Sequence, residues 1–181
     1  MDRIFLRPQY VVHFRTAHRI PFRIALPSEY VALFPQRAPC SVEVDGRELT
    51  LRPSGDALLI NPGPDEILVH GKQSAPYLLL SMSPSFVLDC AIRSRLAHGG
   101  NSLVVFRSPL VESDRKLERA ANDLADELQQ EEEAAAGQDM IIAALIEQIL
   151  IRLLRAYSNA RRSDHLELSR ADSLTGAFDA P

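Results

Sequence analysis

The chain has 181 residues, 46% of them hydrophobic and 24% charged, with a formal net charge of −4. That is enough chain for one domain, with or without a helical appendage, and too little basic charge to draw the molecule onto nucleic acid or an anionic bilayer. Its two cysteines, Cys40 and Cys90, lie far apart without CxxC or Cys/His spacing, which excludes a disulfide scaffold or zinc module and fits a reduced, cytoplasmic protein.

The N-terminal arm, Met1 to Pro8, has no apolar segment of secretory type, and nothing in its sequence requires it to fold over a binding site. Eleven of the twelve prolines lie before Val111, so strands and tight turns belong to the first half of the chain. Short apolar runs predict seven strands at residues 10–16, 29–34, 40–44, 47–51, 56–60, 66–70 and 77–82. Asp45-Gly46 predicts a two-residue hairpin turn, because both residues reach positive φ cheaply. Asn61-Pro62-Gly63-Pro64 predicts a rigid turn after the fifth run. Many closely spaced strands indicate a sandwich or small barrel.

After Pro84 the pattern changes to helix over residues 85–96, closed by His98-Gly99-Gly100-Asn101. The run 103–106 reads as a return to the sheet. Glu112, Ser113 and Asp114 then open a long helix towards Gln130, with Leu117, Ala121, Leu124 and Leu128 as its apolar stripe. Glu131-Glu132-Glu133 reads as a solvated face or fraying end. Gly137 breaks the chain, and residues 138–160 form the last helix. Its run from Met140 to Tyr157 is interrupted by Glu147, Gln148, Arg152 and Arg155 and falls short of the ~20 apolar residues of a membrane span. The polar residues occupy one narrow stripe, so this helix needs two packing surfaces. An antiparallel hairpin with residues 111–130 supplies one, and the barrel or a second subunit supplies the other. Ile142, Leu145, Ile149 and Leu153 are the candidate dimer-interface residues. The polar tail, residues 161–181, reads as a linker.

The chemistry-bearing residues point to binding more than to catalysis. No His-x-His pair with a following Glu and distant His is present, and His13, His18, His98 and His165 sit singly, so no metal centre is expected. There is no Gly-x-Ser-x-Gly, no phosphate-binding glycine loop and no Cys/His nucleophile pairing; catalytic residues and cofactors are accordingly expected to be none. In the run 77–82, alternation puts Tyr77, Leu79 and Ser81 on one face and Leu78, Leu80 and Met82 on the other. The purely apolar face suits packing, and the mixed face suits a pocket with a few orienting polar groups. His70, separated from Tyr77 by a six-residue loop, is placed beside it across a hairpin. Pocket and barrel-mouth residues share this pattern, so Tyr77 and His70 also fit a purely structural role.

Leu51-Arg-Pro-Ser-Gly-Asp-Ala-Leu-Leu-Ile-Asn-Pro-Gly63 resembles the "RPGD-LLL-PPG" segment of the N-terminal sensor domains of AraC-type transcription regulators, with Ser54 inserted. Ser83-Pro84-Ser85-Phe86 matches the point where that family's chain leaves its barrel for a helix, and Leu145-Ile-Glu-Gln-Ile-Leu-Ile-Arg-Leu-Leu154 resembles its "LLEQLLLRR" segment. The resemblance runs from about Glu29 to Tyr157. It implies an α+β fold: a cupin-like small β-barrel of jelly-roll type in residues 1–83, followed by an α-helical dimerisation hairpin in residues 84–160. It further implies a small-molecule effector, such as a sugar, sugar acid or aromatic acid, and a homodimer. DNA binding would belong to a further domain that these residues do not include, and no membrane contact is expected.

Residue by residue, the resemblance carries His70, Tyr77 and Leu79 onto the family's pocket positions. Leu79 lacks the aromatic ring that would stack on a sugar face, which argues against arabinose itself. The family's pocket arginine falls before residue 29, with Arg23 slightly better placed than Arg19, and an arginine there favours an anionic or hydroxyl-rich effector. The competing expectations are a metal-free cupin enzyme acting on a sugar or small acid, and an interaction module with a filled barrel.

Overall fold

The computed structural model describes residues 2–16, 22–25, 28–44, 46–53, 55–63, 66–70, 76–96, 103–130 and 137–160; for Phe22–Ala25 and Glu66–His70 the description is of the backbone. The strands are β1 (Arg3–Arg7), β2 (Tyr10–Arg15), β3 (Phe22–Ala25), β4 (Tyr30–Pro35), β5 (Cys40–Val44), β6 (Arg47–Leu51), β7 (Ala57–Ile60), β8 (Glu66–His70), β9 (Tyr77–Met82) and β10 (Leu110–Val111); the helices are α1 (Pro84–Arg93), α2 (Arg115–Gln129) and α3 (Gln138–Tyr157). They form two antiparallel sheets, one in the order β1-β2-β9-β4-β7-β10 and one in the order β3-β8-β5-β6. All seven expected strands are present, within a residue or so at their ends.

Three expectations change. The N-terminal arm is an edge strand, with β1 pairing along β2 from Arg3 opposite Phe14 to Arg7 opposite Tyr10. Residues 103–106 do not rejoin the sheet; Phe106 makes a single bridge to Ser158, and the returning strand is β10, opposite Leu58 and Ala57. β8 and β9 are not neighbours, because β9 lies between β2 and β4 in the larger sheet while β8 pairs with β3 and β5 in the smaller.

Alternation along the central strands divides the interior into two cores. On one face of the larger sheet, Val12, Phe14, Tyr30, Ala32, Phe34, Leu78, Leu80 and Met82 pack with the helices. On the other face, Val31, Leu33, Leu58, Ile60, Tyr77 and Leu79 meet Cys40, Val42, Val44 and Leu51 of the smaller sheet. The purely apolar face of β9 thus serves packing against the helices, and the mixed face lies between the sheets.

The turn between β5 and β6 is the expected two-residue connection, with Val44 opposite Arg47 and Gly46 at φ +72°; Asp45 lies outside the described residues. Asn61 fixes the segment before β10, accepting from the Phe106 N–H at 2.8 Å and donating to its carbonyl at 3.0 Å.

The helices start where side chains satisfy their free amides. Ser83 caps α1 by accepting from the Phe86 N–H, with Pro84 in the first turn. Asp114 caps α2 through Lys116 and Leu117, both at 3.0 Å. The same carboxylate accepts from the Tyr157 hydroxyl on α3 at 2.7 Å, so one residue ties the start of α2 to the end of α3. Arg93 on α1 bonds Glu147 on α3 at 3.1 Å.

The motif from Leu51 to Gly63 acquires a structural role here. Asp56, with a side chain 2% exposed, accepts from the Arg52 N–H at 3.0 Å, from Arg52 Nε at 3.1 Å and from the Ser113 N–H at 3.0 Å. Gly55 accepts from the Asp114 N–H at 3.0 Å. A Cβ at Gly55 would stand 2.8 Å from the Asp114 backbone, and its φ of +92° suits glycine. These bonds fasten the β6–β7 turn to the start of α2.

Candidate functional site

The inner face of the larger sheet, towards the β1 edge, carries a half-buried arginine and histidine beside a buried tyrosine and serine. Antiparallel register builds it in rungs. Val11 on β2 stands opposite Ser81, His13 opposite Leu79 and Arg15 opposite Tyr77. Val31, Leu33 and Pro35 on β4 continue the three rungs on the other side of β9, while Leu6 and Ile4 on β1 continue the first two outward. Directly opposed residues share a face, so these side chains form one surface. It passes from buried at β9, through half-buried Val11, His13 and Arg15, to Ile4 and Leu6 at 56% and 64% exposed.

Electrostatics concentrate at the Arg15 rung. The Arg15 guanidinium lies beside the Tyr77 hydroxyl, whose pKa burial pushes up to about 12 against the effect of that cation. The His13 pKa is lowered, first by burial and then by Arg15, with Asp2 opposing. Burial raises the Cys40 thiol to about 11, so it is protonated and behaves as a small apolar group. Asp2 accepts from the Thr16 N–H at 3.0 Å and from its hydroxyl at 3.3 Å, and borders the same rung. A guanidinium, a phenol, an imidazole whose pKa burial lowers and an apolar floor, with the Asp2 carboxylate beside them, make a polar margin to an apolar surface. No group of His, Cys, Asp and Glu that could hold a metal ion occurs among the described residues.

The sequence-derived residues fall unevenly on this geometry. Tyr77 and Leu79 lie on the site, as their strand face requires. His70 is opposite Ser41 in the smaller sheet and Arg23 is opposite Leu68; their side chains, and the whole of Arg19, lie outside the described residues. The structure does not bring the strand of His70 beside that of Tyr77. The cation next to Tyr77 is Arg15, and the histidine next to Leu79 is His13; neither was expected. Alternation in Tyr10–Arg15 does set Val11, His13 and Arg15 on one face, but only the sheet order shows that β2 borders β9.

The interface residues also divide. Of the two partners that the sequence left open for the last helix, the barrel-side core takes Ile142, Ile149 and Leu153, which are fully buried within one chain. Leu145 alone of the four remains part exposed. The large apolar side chains that α3 leaves in solvent are Met140 and Ile141.

The two antiparallel sheets with three appended helices define an α+β, cupin-like fold. No family model matches the chain, and no curated protein matches it in sequence. Among solved structures, apo ToxT K231A from Vibrio cholerae strain SCE256 is similar over 81% of this chain and 56% of its own, with a TM-score of 0.50 and 9% identity. A Cupin 2 conserved barrel domain protein from Salinispora arenicola CNS-205 matches 50% of this chain and 81% of its own, with a TM-score of 0.38 and 14% identity. The Clostridium difficile EutQ protein matches 45% of this chain and 66% of its own, with a TM-score of 0.39 and 14% identity. At 9% identity the likeness to apo ToxT concerns the fold alone. Among the described residues, no helix is long and apolar enough to cross a membrane.

Proposed function

We propose that the chain is an effector-sensing domain of AraC type that binds a small acidic molecule on the inner face of its larger sheet and does not transform it. The observation that carries this reading is the Arg15–Tyr77 rung, where a guanidinium is held beside a buried phenol at the margin of an apolar surface. Such a cation recognises an anion with far greater discrimination than an exposed arginine, because part of its hydration is already lost. The similarity to ToxT, an AraC-family regulator, over 81% of this chain supports the same reading.

Homodimerisation belongs to the proposal as well. It would use the outward side of α3 around Met140, Ile141 and Leu145, since the opposite side is filled by the chain's own core. DNA binding, in this reading, is the work of another domain.

A thermal-shift screen against aromatic acids, sugar acids and neutral sugars tests the sensor reading. Stabilisation by acids, with the ligand recovered unchanged, is the expected result. Turnover of the stabilising compound would make the chain an enzyme, and a response to neutral sugars alone would remove the role given to Arg15.

A further inference from the structure

The chain leaving α3 is held by a short antiparallel pairing with residues 103–107. The Arg107 N–H donates to the Tyr157 carbonyl at 2.9 Å, Phe106 bridges Ser158, and the Asn159 N–H donates to the Val105 carbonyl at 3.0 Å. The Asn159 side chain adds two bonds, accepting from the Val105 N–H and donating to the Leu103 carbonyl, both at 2.9 Å. These do not serve the helix end. Ser158 does that, its hydroxyl donating to the Leu154 carbonyl at 2.6 Å and accepting from the Ala160 N–H at 3.0 Å. Asn159 thus acts on the facing segment, and it does so in solvent, where water competes for the same groups and makes the attachment reversible.

The other side of residues 103–107 is fastened to the barrel. Val104 and Phe106 are buried while Leu103 and Arg107 are exposed, so the segment turns alternate side chains inward. Asn61, directly after β7, holds both the N–H and the carbonyl of Phe106. Tyr30 on β4 donates to the Val104 carbonyl, and its ring meets that of Phe106 edge-on with centroids 5.6 Å apart. Among the described residues the hydrogen bonds of the Asn61 side chain go to Phe106 alone, so whatever Asn61 does to Ser158 and Asn159 must pass through this segment.

We propose that residues 103–107 and 157–160 form a clasp through which the end of β7 sets how firmly the chain leaving α3 is held, with Asn61 as the barrel-side pin and Asn159 as the catch. The clasp has two states, the closed one described and an open one in which residues 158–160 part from residues 103–106 while the rest of α3 stays folded. Movement at Asn61 then biases the residues that follow Ala160 through backbone bonds, with no shift of the helix core. The proposal goes beyond the effector reading and is independent of where an effector binds, so either can fail without the other.

The test is hydrogen exchange of single amides, followed by NMR, on the whole chain as wild type, Asn159→Ala and Asn61→Ala. Asn159→Ala is expected to speed exchange of the Arg107 and Asn159 amides about tenfold. Asn61→Ala, at a residue with no bond to either, is expected to speed the same two amides by a similar factor, while the amides of Ile146 to Leu150 in mid-α3 keep their wild-type rates. Wild-type rates at Arg107 and Asn159 in Asn61→Ala would overturn the coupling, and equal acceleration in mid-α3 would show global opening and overturn the clasp. If Asn61→Ala does not fold, the wild type decides. Its Arg107 and Asn159 amides are expected to share one opening constant larger than that of Ile146 to Leu150, and a single constant for all of them would overturn the proposal.

Discussion

The two faces of the larger sheet are built for different work. The helix side packs Val12, Phe14, Tyr30, Leu78, Leu80 and Met82 against three helices, with the clamps at Asp56, Asp114 and Arg93 tying turn to helix and helix to helix. The inner side towards β1 instead holds a half-buried arginine and histidine, a buried serine without a partner among the described residues and two apolar residues left in solvent. Stability drawn from the first face lets the second keep groups that folding alone would select against. Each substitution below tests one side of that division.

The largest effect is expected inside the helix-side core. Ile149→Arg places a charge where the native side chain is fully buried and should unfold the chain, seen as loss of the cooperative thermal transition. Ile141→Arg, on the outward side of the same helix, should keep the melting temperature within a few degrees and shift the sizing profile to monomer if the proposed dimer forms there. Equal unfolding by both would remove the distinction between the two sides of α3.

Next come the clamps. Gly55→Ala forces a Cβ against the Asp114 backbone at a positive φ and should cost roughly 3 kcal/mol in denaturant unfolding. Asp56→Ala removes the acceptor of three hydrogen bonds and should cost about 1–3 kcal/mol, mostly through the two backbone amides left without their acceptor, since the Arg52 side chain is largely exposed.

The same groups predict a pH dependence. Burial pushes the Asp56 carboxyl up, but the Arg52 and Ser113 amides and the Arg52 guanidinium outweigh it, and its pKa is lowered. Asp114 is lowered likewise, burial being outweighed by the Tyr157 hydroxyl and the helix amides. A lowered folded pKa means that the stabilisation is complete above the ordinary carboxylate value of ~4 and is lost as pH falls through the lowered values. Wild-type stability should therefore decline below that point, and Asp56→Ala should decline less steeply. Tyr157→Phe, which removes one hydroxyl from Asp114, should cost about 1 kcal/mol.

Much of the fold was legible because it is written locally. Proline punctuation and period-two alternation located seven strands, and the alternation within Tyr77–Met82 separated the helix-facing residues from those between the sheets. β1 and β3 were not read. β1 is a charged edge strand, Arg-Ile-Phe-Leu-Arg, whose outward apolar residues stay exposed, and β3 is only four residues long. The start of α2 was read from its acidic charge, while the cap at Asp114 needed Leu117 and Lys116 in helical positions to be visible. The site was half legible for the same reason. Tyr77 and Leu79 follow from their own strand, but Arg15 and His13 become their neighbours only through the insertion of β9 between β2 and β4. That pairing joins segments more than sixty residues apart, and no local period reports it.

The central claim is that the inner face around Arg15 and Tyr77 binds an acidic effector, while the helix-side core supplies the stability. Thermal shift of wild type and Arg15→Gln against the acids that emerge from the screen tests it most directly. The account predicts equal cooperative folding of both proteins without ligand and a concentration-dependent rise in melting temperature for the wild type alone. A rise of the same size in Arg15→Gln would contradict it.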